Sequence, residues 1–372
     1  MFDPREKKLA ELLVNYSCDV QKGENVLIEA FDIPETFVKQ LVKAVRGREG
    51  NPFVTLKSNT IQRELFLNST DEQIKFAGEY EAMRMKNMQA YIGVRGSQNI
   101  TELSDVPGDD MKRYQTLWSQ PVHSKIRVPE TKWVVLRWPT PSMAQQAGLS
   151  TEEFENFYFD VCTLDYPKMA KAQKSLMALE AQTDKVHIKG PGKTDLKFSV
   201  KDIPVIQSCG LRNIPDGEVF TAPVRDSANG VIEYNTPTLY QGTVFNDITL
   251  TFKDGKIIKV EGDNVERLEE IFNTDEGARY VGEFAIGMNP YINRPMKDIL
   301  FDEKIAGSIH FTPGNSYDDA FNGNQSAIHW DLVLRQTPEC GGGEIWFDDV
   351  LIRKDGIFVL DELKALNPEN LK

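Results

Sequence analysis

The feature that most limits what this chain can fold into is a change in the period of its apolar residues near residue 182. Before that point, segments with helical spacing alternate with short apolar runs. REKKLAELLVNYSCDV (5–20) places Leu9, Leu12, Leu13 and Tyr16 at helical spacing. ENVLIEA (24–30) reads as a strand, and PETFVKQLVKAV (34–45) as an amphipathic helix with Pro34 suited to its first turn. GREGNP (47–52) is a loop by its Gly, Asn and Pro content, while PFVTLKS (52–58), MQAYIGVRG (88–96) and KWVVLRWP (132–139) are further strands. Residues 151–181 are rich in helix. Strands alternating with helices predict an α/β layer domain with a parallel-type sheet. No GxGxxG follows the first strand, so a dinucleotide site is not indicated.

From about residue 183 the runs shorten. KVHIKGPG, DLKFSVKD, GVIEYNTP and LTFKDGKIIKVEG are strands broken by Gly, Asn, Asp and Pro, with one helix near 264–273. Asp254-Gly255 and Asp355-Gly356, each between alternating residues, signal hairpins. The run Cys340-Gly341-Gly342-Gly343 lacks the GK[ST] ending of a phosphate loop and reads as a turn before a strand, EIWFDDVLI. The expected organisation is therefore an α/β domain over 1–182 and a β-rich domain over 183–372.

Composition excludes several functions. The net charge is -13 and no Lys/Arg cluster is interleaved with aromatics, which disfavours nucleic-acid binding. No run of 18 or more apolar residues suggests a membrane span, and the charged start MFDPREKKLAELL lacks the pattern of a signal peptide, so the expected compartment is the cytoplasm. Cys18, Cys162, Cys209 and Cys340 are scattered and read as free thiols.

The chain has 4 histidines, and two of them, His310 and His329, stand in polar, glycine-containing surroundings in the β-rich half. SAIHWDLVL (326–334) reads as a strand, which points His329 and Asp331 to one face and Ile328, Trp330 and Leu332 to the other. Such a pair either binds a metal or is a histidine oriented by an aspartate. His310 ends another apparent strand, AGSIHF (306–311), and by itself is equally a core or loop histidine. Glu218 follows a Pro-Asp-Gly turn, and Glu283 sits between Gly282 and an apolar run. A carboxylate in such a run must be paired or bound to a cation if it is buried. A salt bridge or simple exposure accounts for either acid alone. Glu303, in LFDEKIAG, is a solvated turn acid or a further ligand. Together, two imidazoles and several carboxylates suit Zn2+, Co2+ or Mn2+.

Four segments, NIPDGEVFTAP, EGARYVGEFAIGMNP, FDEKIAGSIHFTPGNSY and NQSAIHWDLV, resemble the M29 family of metalloaminopeptidases. LLVNYSCDVQKGENVLIEA and GPGKTDLKFSV extend the resemblance over most of the chain. The resemblance implies two divalent metal ions per subunit on Glu218, Glu283, His310, His329 and Asp331. Glu303 falls on a further acidic position, and Tyr317 on a tyrosine able to donate to a forming oxyanion. Catalytic roles fall on Tyr317, Glu218 and Glu283, short peptides are the implied substrates, and a homodimer the implied assembly. The sequence departs from the family at Phe311-Thr312-Pro313-Gly314, where an aliphatic-Ala-Leu-Gly run is common, and at the bulkier, more acidic Asp318-Asp319-Ala320-Phe321.

Two other functions fit part of the pattern. His310, His329 and Asp331 form a two-His-one-carboxylate set of the kind that holds Fe(II) in ring-cleaving dioxygenases, although one iron needs neither Glu218 nor Glu283. A non-catalytic protein keeping a metal as a structural element is the third, and Tyr317 with the intact ligand set counts against it.

Overall fold

The computed structural model describes residues 3–372, and the chain packs as two compact units. The first comprises the described residues up to Thr163 together with Gly210–Pro215, and the second Leu164–Cys209 together with Asp216–Lys372. The helix Tyr166–Glu180, which a division near 182 would leave in the first domain, packs instead with the second unit.

The first unit holds a five-stranded parallel sheet in the order Asn51–Lys57, Asn25–Phe31, Ala90–Arg95, Lys132–Arg137, Asn213–Ile214. The four expected strands are all present. Asn25–Phe31 and Ala90–Arg95 are buried along nearly their whole length and, Glu29 apart, apolar inside, as strands covered on two sides must be. The helix predicted over 5–20 starts at Pro4, capped by the Asp3 side chain on Arg5 N–H, and continues past Leu12 as wider turns to Ser17. Pro34 stands just before the helix Glu35–Gly47 rather than inside its first turn.

The second unit contains two large antiparallel sheets. One has eight strands, in the order 256–261, 249–253, 229–233, 195–199, 185–189, 344–347, 350–354, 357–358. The other has five: Val333–Arg335, Ser308–Pro313, Val281–Gly287, Glu218–Thr221 and Ile206–Ser208. Phe198 and Phe252 of the larger sheet meet Phe284 and Phe311 of the smaller, with ring centroids 4.9–5.5 Å apart for the three closest pairs. Each such ring contributes roughly 1.5–3 kcal/mol by leaving water, so this aromatic layer fixes one face of the five-stranded sheet and frees the other for polar groups.

Both Asp-Gly hairpins form, with Asp254 and Gly255 at φ 49 and 79 and Asp355 and Gly356 at φ 50 and 81. EIWFDDVLI is a hairpin rather than one strand, because Asp348 and Asp349 take φ 46 and 67 and turn the chain between Glu344–Phe347 and Val350–Lys354. Cys340–Gly343 is a turn, as expected. The cysteines are free. Among the described residues no helix is long and apolar enough to cross a membrane.

Candidate metal centre

The register of the five-stranded sheet decides which side chains meet. Gly287 lies opposite Glu218, Ala285 opposite His310, and Glu283 opposite Thr312. Directly opposed residues share a face, so Glu218, Glu283, His310 and Thr312 project together. The alternate residues Val219, Phe284, Ile286, Ile309 and Phe311 project into the aromatic layer. Ala285 and Gly287 carry almost no side chain, which leaves room between the two acids and the imidazole. A bulge between Val281 and Glu283 sets Glu283 in phase. Gly282 permits it: a Cβ there would lie 2.2 Å from the Asn315 carbonyl oxygen.

His329 and Asp331 arrive from an irregular segment, not from the strand expected over 326–334. Only Val333–Arg335 at its end is regular strand, and His329 makes an isolated bridge to Gly314. The segment still runs beside 311–315, held by Asn315 N–H to Ile328 O at 2.7 Å and Trp330 N–H to Pro313 O at 3.1 Å. Gly314, at φ 110, bends the neighbouring chain and breaks the ladder, since a Cβ there would meet Ile328 O at 2.2 Å. The anticipated meeting of His329 and Asp331 is nevertheless observed, with Nε2 3.2 Å from Oδ1. His310 is the third residue of its strand, not its end.

The acids and imidazoles form two triads joined at one residue. Glu218, Glu283 and His310 offer ligand atoms all within 4.8 Å of one another, and so do Glu283, His329 and Asp331. Glu283 divides its carboxylate between them: Oε1 is 3.1 Å from His310 Nε2 and Oε2 is 3.2 Å from His329 Nε2. The first triad is fully buried, and the second is half-buried at His329 and Asp331.

Both imidazoles are oriented through Nδ1. His310 Nδ1 donates to the Glu303 carbonyl at 3.2 Å and His329 Nδ1 to the Asn315 carbonyl at 2.8 Å. A carbonyl only accepts, so the proton sits on Nδ1 and each Nε2 lone pair is turned to the acids, the usual arrangement of a metal-binding histidine. The Thr312 hydroxyl donates to Asp331 Oδ1 at 2.8 Å. Gln173, from the helix Tyr166–Glu180, holds the Glu218 strand by donating to Glu218 O at 3.1 Å and Ser208 O at 2.9 Å.

The charges are strained toward one another. Burial pushes Glu218 up to about 7 although Lys304 and His310 oppose it. Burial would raise Glu283 and Asp331 too, but the imidazoles bring both below their usual range. Burial would lower His310 and His329, and the surrounding carboxylates instead raise them. Glu218 Oε2 and His329 Nε2 are buried with no hydrogen-bond partner. Orphaned donor-set atoms of this type, with three carboxylates around two imidazoles, fit divalent cations, which would satisfy those atoms and replace the protons.

Tyr317 stands at the rim, 48% exposed, with its ring 4.6 Å from that of His329. Desolvation where its phenol meets the cluster, then the charges of Glu283, Asp331 and Glu218, push it well above its usual value, so it is a donor at neutral pH. The Glu303 carboxylate is in neither triad; it contacts Lys304. Lys304 itself went unnoticed in the sequence. It is wholly buried beside Glu218, and the signal available was a lysine leading directly into the run Ile305-Ala306 before a buried strand.

Two carboxylate–imidazole triads that share Glu283 are the donor sets of a metal-dependent enzyme. The sequence matches the thermophilic metalloprotease (M29) family over residues 2–344, and the chain belongs to that family. It is an enzyme, a metallopeptidase. It is 26% identical to aminopeptidase AmpS of Bacillus subtilis, over 89% of each chain. Its fold matches the structure of AmpT from Thermus thermophilus with a TM-score of 0.81 at 24% identity, covering 97% of this chain and 100% of that one. It also matches a 2,5-dihydroxypyridine dioxygenase from Pseudomonas putida with a TM-score of 0.63 at 13% identity, covering 98% and 99%, a likeness of fold alone. His310, His329 and Asp331 do not form one of the two triads, which counts against a single-iron site here.

Proposed function

We propose that this metallopeptidase is an aminopeptidase that releases the N-terminal residue of short peptides at a dinuclear centre. The observation that carries the proposal is Glu283, whose two oxygens face the imidazoles of two separate triads. One position would be held by Glu218, Glu283 and His310, and the other by Glu283, His329 and Asp331. The aminopeptidase names of its relatives point to the same exopeptidase class.

When bound, two divalent cations supply Lewis acidity and bring the pKa of a water near neutrality. The chain's own groups do the rest. Tyr317, held as a neutral phenol, donates to the scissile carbonyl oxygen as negative charge develops there. Glu218, the glutamate that would leave one oxygen off the metal positions, carries the proton from the water to the leaving amine. Acid oxygens left over hold the substrate's free α-ammonium, which selects peptides with an unblocked N-terminus. The working assembly is a homodimer, and sedimentation analysis checks it.

The test is dialysis against chelator followed by assay of leucyl peptides with added Co2+, Zn2+ or Mn2+. The expected result is metal-restored release of leucine and no cleavage of the N-acetylated peptide. No restored release, or equal cleavage of the blocked peptide, overturns the proposal.

A further inference from the structure

Lys304 has no place in the chemistry above, yet its position is costly. Its side chain is wholly buried, and its ammonium forms ion pairs without an aligned hydrogen bond. Taking an ammonium out of water costs several kcal/mol unless well-placed partners repay it. The partners here are two carboxylates: Glu303, in direct contact, and Glu218, whose Oε1 is 3.7 Å away.

The backbone around Lys304 is tied to the same ligands. The carbonyl of Glu303 accepts from His310 Nδ1 at 3.2 Å, and the carbonyl of Lys304 accepts from Asn289 N–H at 2.9 Å. Asn289 in turn donates through Nδ2 to Asp216 O at 2.8 Å, two residues before Glu218. The turn 301–304 therefore serves as a back wall for His310 and for the start of the Glu218 strand.

We infer that Lys304 is a positioning residue for the inner metal position, its charge drawing Glu218 Oε1 toward it so that Oε2 is the oxygen offered beside His310. The inference rests on the dinuclear reading above. Oε2 lies 3.7 Å from His310 Nε2 and is the oxygen left without a hydrogen-bond partner. Glu303 balances the ammonium, so the cation orients Glu218 without adding net charge next to the incoming metal. The outer position is built differently, because Asp331 is oriented by the neutral hydroxyl of Thr312. Loss of Lys304 therefore affects one of the two positions, whereas a residue that merely supports the fold would disturb both or neither.

The experiment titrates chelator-treated wild type, Lys304→Met, Asp331→Asn and the double variant with Zn2+. Calorimetry gives affinities, native mass spectrometry counts ions per chain, and circular dichroism verifies folding. Lys304→Gln is read in the same way if Lys304→Met does not fold. Wild type is expected to take two ions per chain. Lys304→Met keeps one at wild-type affinity and binds the other about tenfold or more weakly. The Asp331→Asn variant weakens the other ion, and the double variant weakens both. Wild-type affinity for both ions in Lys304→Met, equal weakening of both, or loss of the same ion as in Asp331→Asn overturns the inference. A wild type that takes one ion overturns the dinuclear reading instead.

Discussion

Glu29 and Glu283 are both buried carboxylates on central strands, 2% and 3% exposed, and both are held below the usual carboxylate range. Their surroundings differ. Glu29 is matched by fixed cations of the protein itself: Lys57 Nζ lies at 2.6 Å and Arg127 Nη2 at 3.7 Å, and the Tyr91 hydroxyl donates at 2.6 Å, although Oε1 makes no aligned hydrogen bond. Arg127 also lies over the Tyr91 ring at 3.7 Å. Glu283 faces two imidazoles, with two further acids beside them and atoms left unsatisfied. A buried acid matched by fixed cations is a structural device; one matched by turned imidazoles is waiting for a cation from outside. The charge of Glu29 is thus met by cations of the chain, whereas the cluster around Glu283 holds more acids than fixed cations.

The sharpest way to break that contrast is at Glu283. Glu283→Gln is expected to lose both metal ions and on the order of 10⁴-fold in activity while the chain stays folded, since both proposed positions would share this residue. Metal analysis and a leucyl-peptide assay check it, and retention of one tightly held ion would show that the triads are independent.

Glu29→Ala should do the reverse. It leaves Lys57 and Arg127 uncompensated and is expected to cost about 3–5 kcal/mol of stability, read by denaturant unfolding, with unchanged metal content per folded chain. The pH dependence has a definite sign. Burial raises the Glu29 pKa, but the charges of Lys57 and Arg127 prevail and lower it below its usual 4.5. Its contribution is therefore fully present above about 4.5 and is lost as pH falls through the lower folded value. The wild type should lose stability more steeply than Glu29→Ala in that acid range.

Smaller effects fall on the groups that aim the site. Tyr317→Phe should lower kcat about 100-fold with metal content unchanged, the loss expected of one oxyanion donor. Equal losses in metal content would make Tyr317 a support of His329 instead. Thr312→Val should weaken only the outer metal position, by about tenfold, measured by competition with a chelating dye.

Much of this was legible in the sequence because it depended on local signals. The alternation of helices and strands marked the parallel sheet, and Asp254-Gly255 and Asp355-Gly356 marked their hairpins through φ > 0. The Asp348-Asp349 turn was not legible, since two aspartates adopt that conformation only with support from the fold. Helices at Asn59–Phe66, Asp71–Met85 and Gly108–Tyr114 also went unread. In the site, the five side chains that the structure brings together could be named, but not how they divide. That Glu283 joins two triads depends on long-range register, Ala285 against His310 and Gly287 against Glu218, together with a bulge at Gly282. Lys304 reaches Glu218 only through tertiary packing, so no local pattern announced it.

The most direct test of the central claim is anomalous diffraction from crystals of the Zn2+-loaded protein. The account predicts two ions per chain, with Glu283 giving one oxygen to each, Glu218 and His310 on one and His329 and Asp331 on the other. A single ion held by His310, His329 and Asp331 together, with Glu283 outside its coordination, would contradict it.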